Sequence, residues 1–364
     1  MKKLFLLAAA ALTVFAACTK NEVTPTPDQK ITFSSPVVGS ATKTERAPMP
    51  GEMNTTTKYF TNEHFSVFAL HHTDAYQSWD KGTVYMNDVD CAYSAADNSW
   101  LPELGDGGLA YYWPKDPTSY LTFAAYTPTD VKKYIAQGES ITYDEDGLTV
   151  PSLTLPTNDA KQYDFMYSER TFNKNESTGG TDYEGVDINF KHALSQIAFT
   201  VASDKDYTND MTIKVQNITV KNVVKTGTFS ENITDGVVYQ SVPAWDLKDT
   251  YTYDHQVSMV ETTVTTTSNS ALVNTNNIIL LPQPVQGLEI VVNYTIQHKA
   301  ADSPVIAQVA TLPIEQTGDT EDKDNWLMGK KYIYNITIGF DKVMFSPEVV
   351  DWTVVNNANT GLTI

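Results

Sequence analysis

The side chains with which this chain could do chemistry are six histidines, two cysteines and 44 carboxylates. Their spacing offers little. His71 and His72 are neighbours, so on a strand they point to opposite faces and cannot share a metal ion. His64 and His72 share a face only at about 26 Å along a straight strand. His192, His255 and His298 stand apart from one another. "DEDG" (Asp144–Gly147) begins like half a calcium loop, but Leu155 stands where the bidentate glutamate is required. Neither a P-loop nor HExxH, GxSxG or CxxC occurs. With so many carboxylates close pairs arise by chance, and no pair is nominated as acid and base. The expectation is a protein that is not an enzyme, with no catalytic residue, no metal and no cofactor.

Two other groups have a chemistry of their own. "SWLPELGDGGLAYYWPKD" (Ser99–Asp116) clusters aromatic rings around a glycine turn. On a surface, Trp100, Tyr112 and Trp113 would form a stacking platform for sugar rings; in a sandwich the same rings cap a core. The cysteines define the second group. Lys2 and Lys3 precede the apolar run Leu4–Ala17, which is shorter than the roughly 20 residues of a membrane span but suits a signal peptide. "FAAC" (Phe15–Cys18) resembles a lipobox, whose cysteine takes diacylglycerol and an N-terminal acyl chain such as palmitate. Residues 1–17 are then a signal peptide and Cys18 the lipidated residue. The alternative is plain secretion with cleavage near Ala17. Cys91 is left without a partner for a disulfide and reads as a small buried apolar residue.

A net charge of -19 repels nucleic acid and anionic headgroups, so no nucleic-acid partner is expected. Residues 18–30 form a polar, proline-containing tether. Beyond it lie short strands bounded by turns. "FSVFAL" (Phe65–Leu70), "YLTFAAYTP" (Tyr120–Pro128) and "YDFMYSE" (Tyr163–Glu169) are apolar runs. In "LEIVVNYTI", Leu288, Ile290, Val292, Tyr294 and Ile296 fall on one face; in "KYIYNITIGF", Tyr332, Tyr334, Ile336, Ile338 and Phe340 do. Ile213–Ser230 reads as one long strand or two joined by a bend. Thr129–Gly138 carries the one helix signal, with Thr129 as cap and Gly138 as stop. This pattern predicts an all-β fold of two tandem antiparallel β-sandwiches, residues 31–185 and 186–364, divided at the polar stretch Asn173–Gly185. Ile31–Val38 reads as a strand, and Gly39–Glu52 as an exposed loop.

Several segments together resemble the fimbrillin-like family of Bacteroidetes surface lipoproteins, the subunits of type V pili. They are "ITF…TKTER", "YWPKDPTSYLTFAAYTP", "YDFMYSE", "FKHALSQIAFTV", "LLPQP" and "YIYNITI…VVDWTV". The resemblance implies transthyretin-like sandwiches and an outer-membrane lipoprotein precursor. It further implies that an arginine-directed surface protease removes the first strand with its lipid, and that a strand from a like or related subunit takes its place. On this sequence, residues 31–46 become a removable plug and loop, with Ile31, Phe33 and Val37 as anchors and Pro36 suiting an edge position. Arg46–Ala47 becomes the scissile bond, with Lys43 the nearest alternative and Arg170 the remaining arginine. Val350, Trp352 and Val354 share a face and become the donor strand; the alternative is that they simply end their own domain. A stalk or tip subunit supporting adhesion is the expectation. The competing expectation is a monomeric glycan-binding surface lipoprotein using Trp100, Tyr112 and Trp113.

Overall fold

A computed structural model describes residues 30–352 except 35, 39–46, 49–52, 55–58, 61–63, 74–81, 98, 106–107, 117–118, 169–170, 173–184, 235–239, 249–251, 266–270, 276–277, 315–323 and 341. The regular structure of the described residues is almost all strand, as the turn-punctuated apolar runs predict. The first sheet uses β1 (Val37–Val38), β2 (Ala47–Pro48), β3 (Phe65–His72), β4 (Thr83–Ser94), β5 (Ser99–Pro102) and β6 (Tyr120–Thr127). β7 (Gly147–Thr154) leaves that sheet, β8 (Met166–Ser168) and β9 (Asn189–His192) extend it, and the short strand Thr171–Phe172 pairs with β6 off the main path. The spatial order is β2-β1-β9-β8-β6-β3-β4-β5.

β3 and β6 are buried on both faces, which is why their sequences run apolar without alternation. Phe65, Val67, Ala69, Phe123 and Ala125 face a core inside the first sheet. Phe68, Leu70, Ala124 and Tyr126 face a second core under an outer layer. That layer joins β7 to β12 (Thr226–Ser230) and β13 (Ala244–Leu247), introduced here with β10 (Ser195–Ser203) and β11 (Met211–Val224). The long stretch Ile213–Ser230 is therefore two strands, β11 and β12, parted at Lys225 so that they serve different sheets.

The third core lies between two sheets of the C-terminal half. Its further main strands are β14 (Thr252–Gln256), β15 (Ile278–Leu280), β16 (Glu289–His298), β17 (Val305–Pro313), β18 (Lys330–Ile338) and β19 (Val343–Asp351). They pack as β15-β10-β18-β19 over β14-β11-β16-β17. Ile290, Val292, Tyr294 and Ile296 of β16 and Tyr332, Tyr334, Ile336 and Ile338 of β18 bury as period two predicts. Phe340 does not join them: β18 ends at Ile338 and the ring is exposed.

Pairing is antiparallel as expected, apart from two parallel pairs, β1 with β9 and β10 with β18. Two further expectations differ from the structure. A division after residue 185 cuts through paired structure, because β9 belongs to the first sheet and β12 pairs with β7 across it. The helix signal at Thr129–Gly138 yields a 3-10 turn, Thr129–Tyr134, with no side-chain cap; Gly138, at φ +89°, follows the extended Ile135 as part of a turn.

Candidate functional site

The site is built around the first described residues. Ile31 donates its backbone N–H to the Tyr111 carbonyl at 2.9 Å. Phe33 and Trp100 exchange both backbone bonds, at 2.9 and 3.1 Å. On the other side Val186 donates to the Thr32 carbonyl at 2.9 Å and its own carbonyl accepts from Ser34 at 3.0 Å. The chain then continues as β1 beside β9, with Val37 opposite Asn189 and, across the other edge, opposite Pro48. Segment 30–38 thus bridges the two ends of the first sheet, β5 and β9, and closes it. It is an interior stave with partners on both sides at Phe33, not an edge strand as Pro36 suggested. Pro36 is buried just ahead of β1, where its missing N–H interrupts the pairing between Ser34 and Val37.

The side chains seal that closure. Ile31 and Phe33 are 1% and 0% exposed. The Phe33 ring meets Phe65 and Phe123 edge-on, with centroids 5.5 and 5.7 Å away. Trp100, Trp113 and Phe190 complete the pocket. Trp100 and Trp113 are therefore core residues whose faces meet other rings: Trp100 packs on Phe65 and Tyr93, Trp113 on Phe123. The sugar platform of Trp100, Tyr112 and Trp113 is not formed; Tyr112 is half-buried and its backbone bridges Lys30. What looked like a binding face is the lining of the groove that holds the first strand.

Sequence reasoning missed Gly185, which it placed in a polar connection. Its φ is +127°, and a Cβ there would lie 2.8 Å from the Ser34 nitrogen. The backbone of segment 30–38 passes too close for any side chain. The available signal was a glycine directly before the apolar alternation Val186, Ile188, Phe190. Ser34 adds a side-chain tie, its hydroxyl donating to Asp187 Oδ1 at 2.6 Å.

At the other terminus, β19 pairs with β18 along its whole length, Lys330 opposite Asp351 and Ile338 opposite Val343. Val350 points outward from this edge strand. Trp352 is buried, stacked on the His192 ring at 4.1 Å with planes 6° apart, and its N–H donates to the Gly329 carbonyl at 2.8 Å. His192 Nδ1 lies 2.6 Å from Asp164 Oδ2 beneath that stack. Cys18, Arg46 and Val354 lie outside the described residues. Ala47 opens β2.

The histidines have local partners rather than a shared centre. His64 meets Asp90 at 2.9 Å, His71 meets Ser119, and His72 meets Thr122. His255 Nε2 lies 2.6 Å from Asp159, both fully buried, and its Nδ1 lies 2.7 Å from the Tyr253 hydroxyl. Among the described residues no cluster of three His, Cys, Asp or Glu could hold a metal. Cys91 is buried and its thiol is held well above its ordinary range, first by desolvation and then by Asp90 and Glu103. It is a core thiol, not an activated one. No helix among the described residues is long and apolar enough to cross a membrane.

Closed strands and packed rings define an all-β protein. Its sequence matches the fimbrillin-like family over residues 52–352, and the chain belongs to that family. Its fold is similar to that of a fimbrial protein from Bacteroides vulgatus, at 19% identity and TM-score 0.59, covering 88% of this chain and 100% of that one. It also matches the tip fimbrial protein Mfa3 from Porphyromonas gingivalis, solved with a C-terminal truncation, at 9% identity and TM-score 0.31, over 80% of this chain and 94% of that one. No curated protein matches it. Family membership makes the chain a cell-surface fimbrial protein that associates with related subunits, and not an enzyme.

Proposed function

We propose that the chain is a stalk or tip subunit of an adhesive pilus, made as an outer-membrane lipoprotein and polymerised by strand exchange. Cys18 carries the lipid. An arginine-directed protease cuts Arg46–Ala47, and the stretch ending at Arg46 leaves with its lipid. A neighbouring subunit's C-terminal strand then fills the vacated groove between β5 and β9. The observation that carries this reading is the two-sided pairing around Phe33, with the full burial of Ile31 and Phe33.

Removing such a stave exposes an apolar trough and leaves unpaired backbone groups on two strands at once. That state is aggregation-prone unless another strand enters, and strand addition satisfies both the hydrogen bonds and the pockets. Two large apolar side chains contribute about 2 kcal/mol each, and about five backbone hydrogen bonds about 1 kcal/mol each, before ordering costs. An incoming strand that matched them would hold a non-covalent polymer together.

The donor is best read as the chain beyond Trp352, beginning with Val354. For Val350 and Trp352 to donate, β19 would have to leave β18 and the Trp352 ring would have to leave His192. A donor that starts after Trp352 leaves β19 on β18 and the Trp352 ring on His192. The test is limited digestion of the precursor with an arginine-specific protease, with N-terminal sequencing and gel analysis. A new N-terminus at Ala47 accompanied by ladders of high mass is expected. An uncut chain, or one cut after Arg46 that stays monomeric, overturns the proposal.

A further inference from the structure

The cleft between the 3-10 turn Thr129–Tyr134 and the outer layer of β7, β12 and β13 has no part in plug or donor. Its volume is about 640 Å³, within the range of small-molecule sites. In a chain with 44 acidic and 25 basic side chains, its lining contains Lys133, Lys225 and Lys248 and no carboxylate. Three lysines in one lining that includes no acidic side chain make this a locally basic spot on an acidic protein.

We propose that this cleft binds an acidic saccharide, a sugar bearing a carboxylate or sulfate. The lysines supply charge-assisted donors to the anionic oxygens. Two of them have weak competing partners: Lys133 meets Asp130 at 2.8 Å and Lys248 meets Asp246 at 3.5 Å, with Lys248 the least exposed of the four side chains at 42%. Such pairs are worth a fraction of a kcal/mol and yield to a better-placed anion. The Lys225 ammonium sits 5.5 Å from the centroid of the Tyr253 ring, a contact to which an anion can be added.

The rest of the lining suits a sugar better than a bare anion. The Thr154 and Thr226 hydroxyls hydrogen-bond to each other at 2.9 Å across neighbouring strands, and their oxygens keep acceptor capacity for a sugar hydroxyl. Tyr134, half-buried and packed at 4.8 Å on Tyr163, offers an aromatic face of the kind that stacks on a pyranose. The cleft is open and its lining mixes apolar with polar side chains, as suits a ring that packs on one face and keeps part of its water. This site goes beyond the strand-exchange reading and does not depend on it, since none of its residues lines the groove between β5 and β9.

The test is titration calorimetry of the full chain with glucuronate, glucose, N-acetylglucosamine 6-sulfate and inorganic sulfate. Lys225→Gln/Lys248→Gln and Tyr134→Ala variants run beside it, with melting temperatures confirming folding and single Lys225→Gln standing in if the double variant does not fold. We expect at least one acidic sugar to bind about tenfold or more tighter than glucose, the preference to disappear in the lysine variant, and Tyr134→Ala to weaken that sugar; screening by salt should reduce it. Which acidic sugar binds tighter decides between carboxylate and sulfate. Equal binding of glucuronate, the sulfated sugar and glucose, affinity retained in the lysine variant, or no heat from either acidic sugar overturns the proposal. Inorganic sulfate binding as tightly as either acidic sugar, with Tyr134→Ala without effect, makes the cleft a simple anion site and overturns it equally.

Discussion

Phe33→Ala is the sharpest perturbation of the closing segment. The ring is 0% exposed and wedged between Phe65 and Phe123, whose backbones are fixed in β3 and β6. These walls cannot collapse far, so removal of the ring should cost about 3–5 kcal/mol, the sum of lost transfer energy and residual cavity. If segment 30–38 is a separable unit, that cost falls on its release and not on the rest of the chain. Native-state hydrogen exchange separates the two. The Trp100 and Val186 amides donate to Phe33 and Thr32, so they report release of the segment. The amides of β18, in the third core, report the C-terminal half. The variant should exchange about two to three and a half orders of magnitude faster at Trp100 and Val186, with β18 unchanged. An equal acceleration at β18, or none at Trp100 and Val186, would show that the segment is not separable and would refute the reasoning.

Three further outcomes follow from the same packing. Gly185→Ala brings a Cβ to 2.8 Å from the Ser34 nitrogen at a φ of +127°, so it should weaken the segment's seat by about 1–3 kcal/mol; arginine-specific cleavage should accelerate while the C-terminal cores keep their exchange rates. Asp159→Asn breaks the buried contact with His255 that ties the turn Asp159–Lys161 to β14, and should lower stability by about 3 kcal/mol in urea titration. Tyr126, Tyr163 and Tyr253 are held above their ordinary value of 10.0, chiefly by desolvation. Their folded values exceed the unfolded one, so their contribution is complete below pH about 10 and declines above it by about 1.4 kcal/mol per pH unit for each. Urea midpoints should fall steeply from that pH, with tyrosinate absorbance appearing only as the chain unfolds.

Much of this was legible in the chain because burial follows period. The alternation in β16 and β18 named their core faces directly, and the unbroken apolar runs of β3 and β6 marked strands covered on both sides. The aromatic cluster Trp100–Trp113 was legible as packing or platform but not as either one. Which it is depends on where Phe33 lies, and that contact joins residues far apart in sequence. The interior position of segment 30–38 was hidden for the same reason: a strand's own pattern does not say how many neighbours it has. Gly185 was masked by its polar surroundings, since a steric requirement imposed by a distant backbone leaves no local period. Phe340 shows the converse limit, because alternation carries past the residue where the strand stops.

The central claim is that the groove emptied by cleavage after Arg46 is refilled by the C-terminal segment of another copy. The most direct measurement is light scattering on two cleaved proteins, the full chain and one ending at Trp352. The account predicts particles of growing mass from the full chain and a stable monomer from the shortened one, which should nevertheless cap and arrest the growing full-length particles. Growth of the shortened chain alone, or a full chain that stays monomeric after complete cleavage, would contradict it.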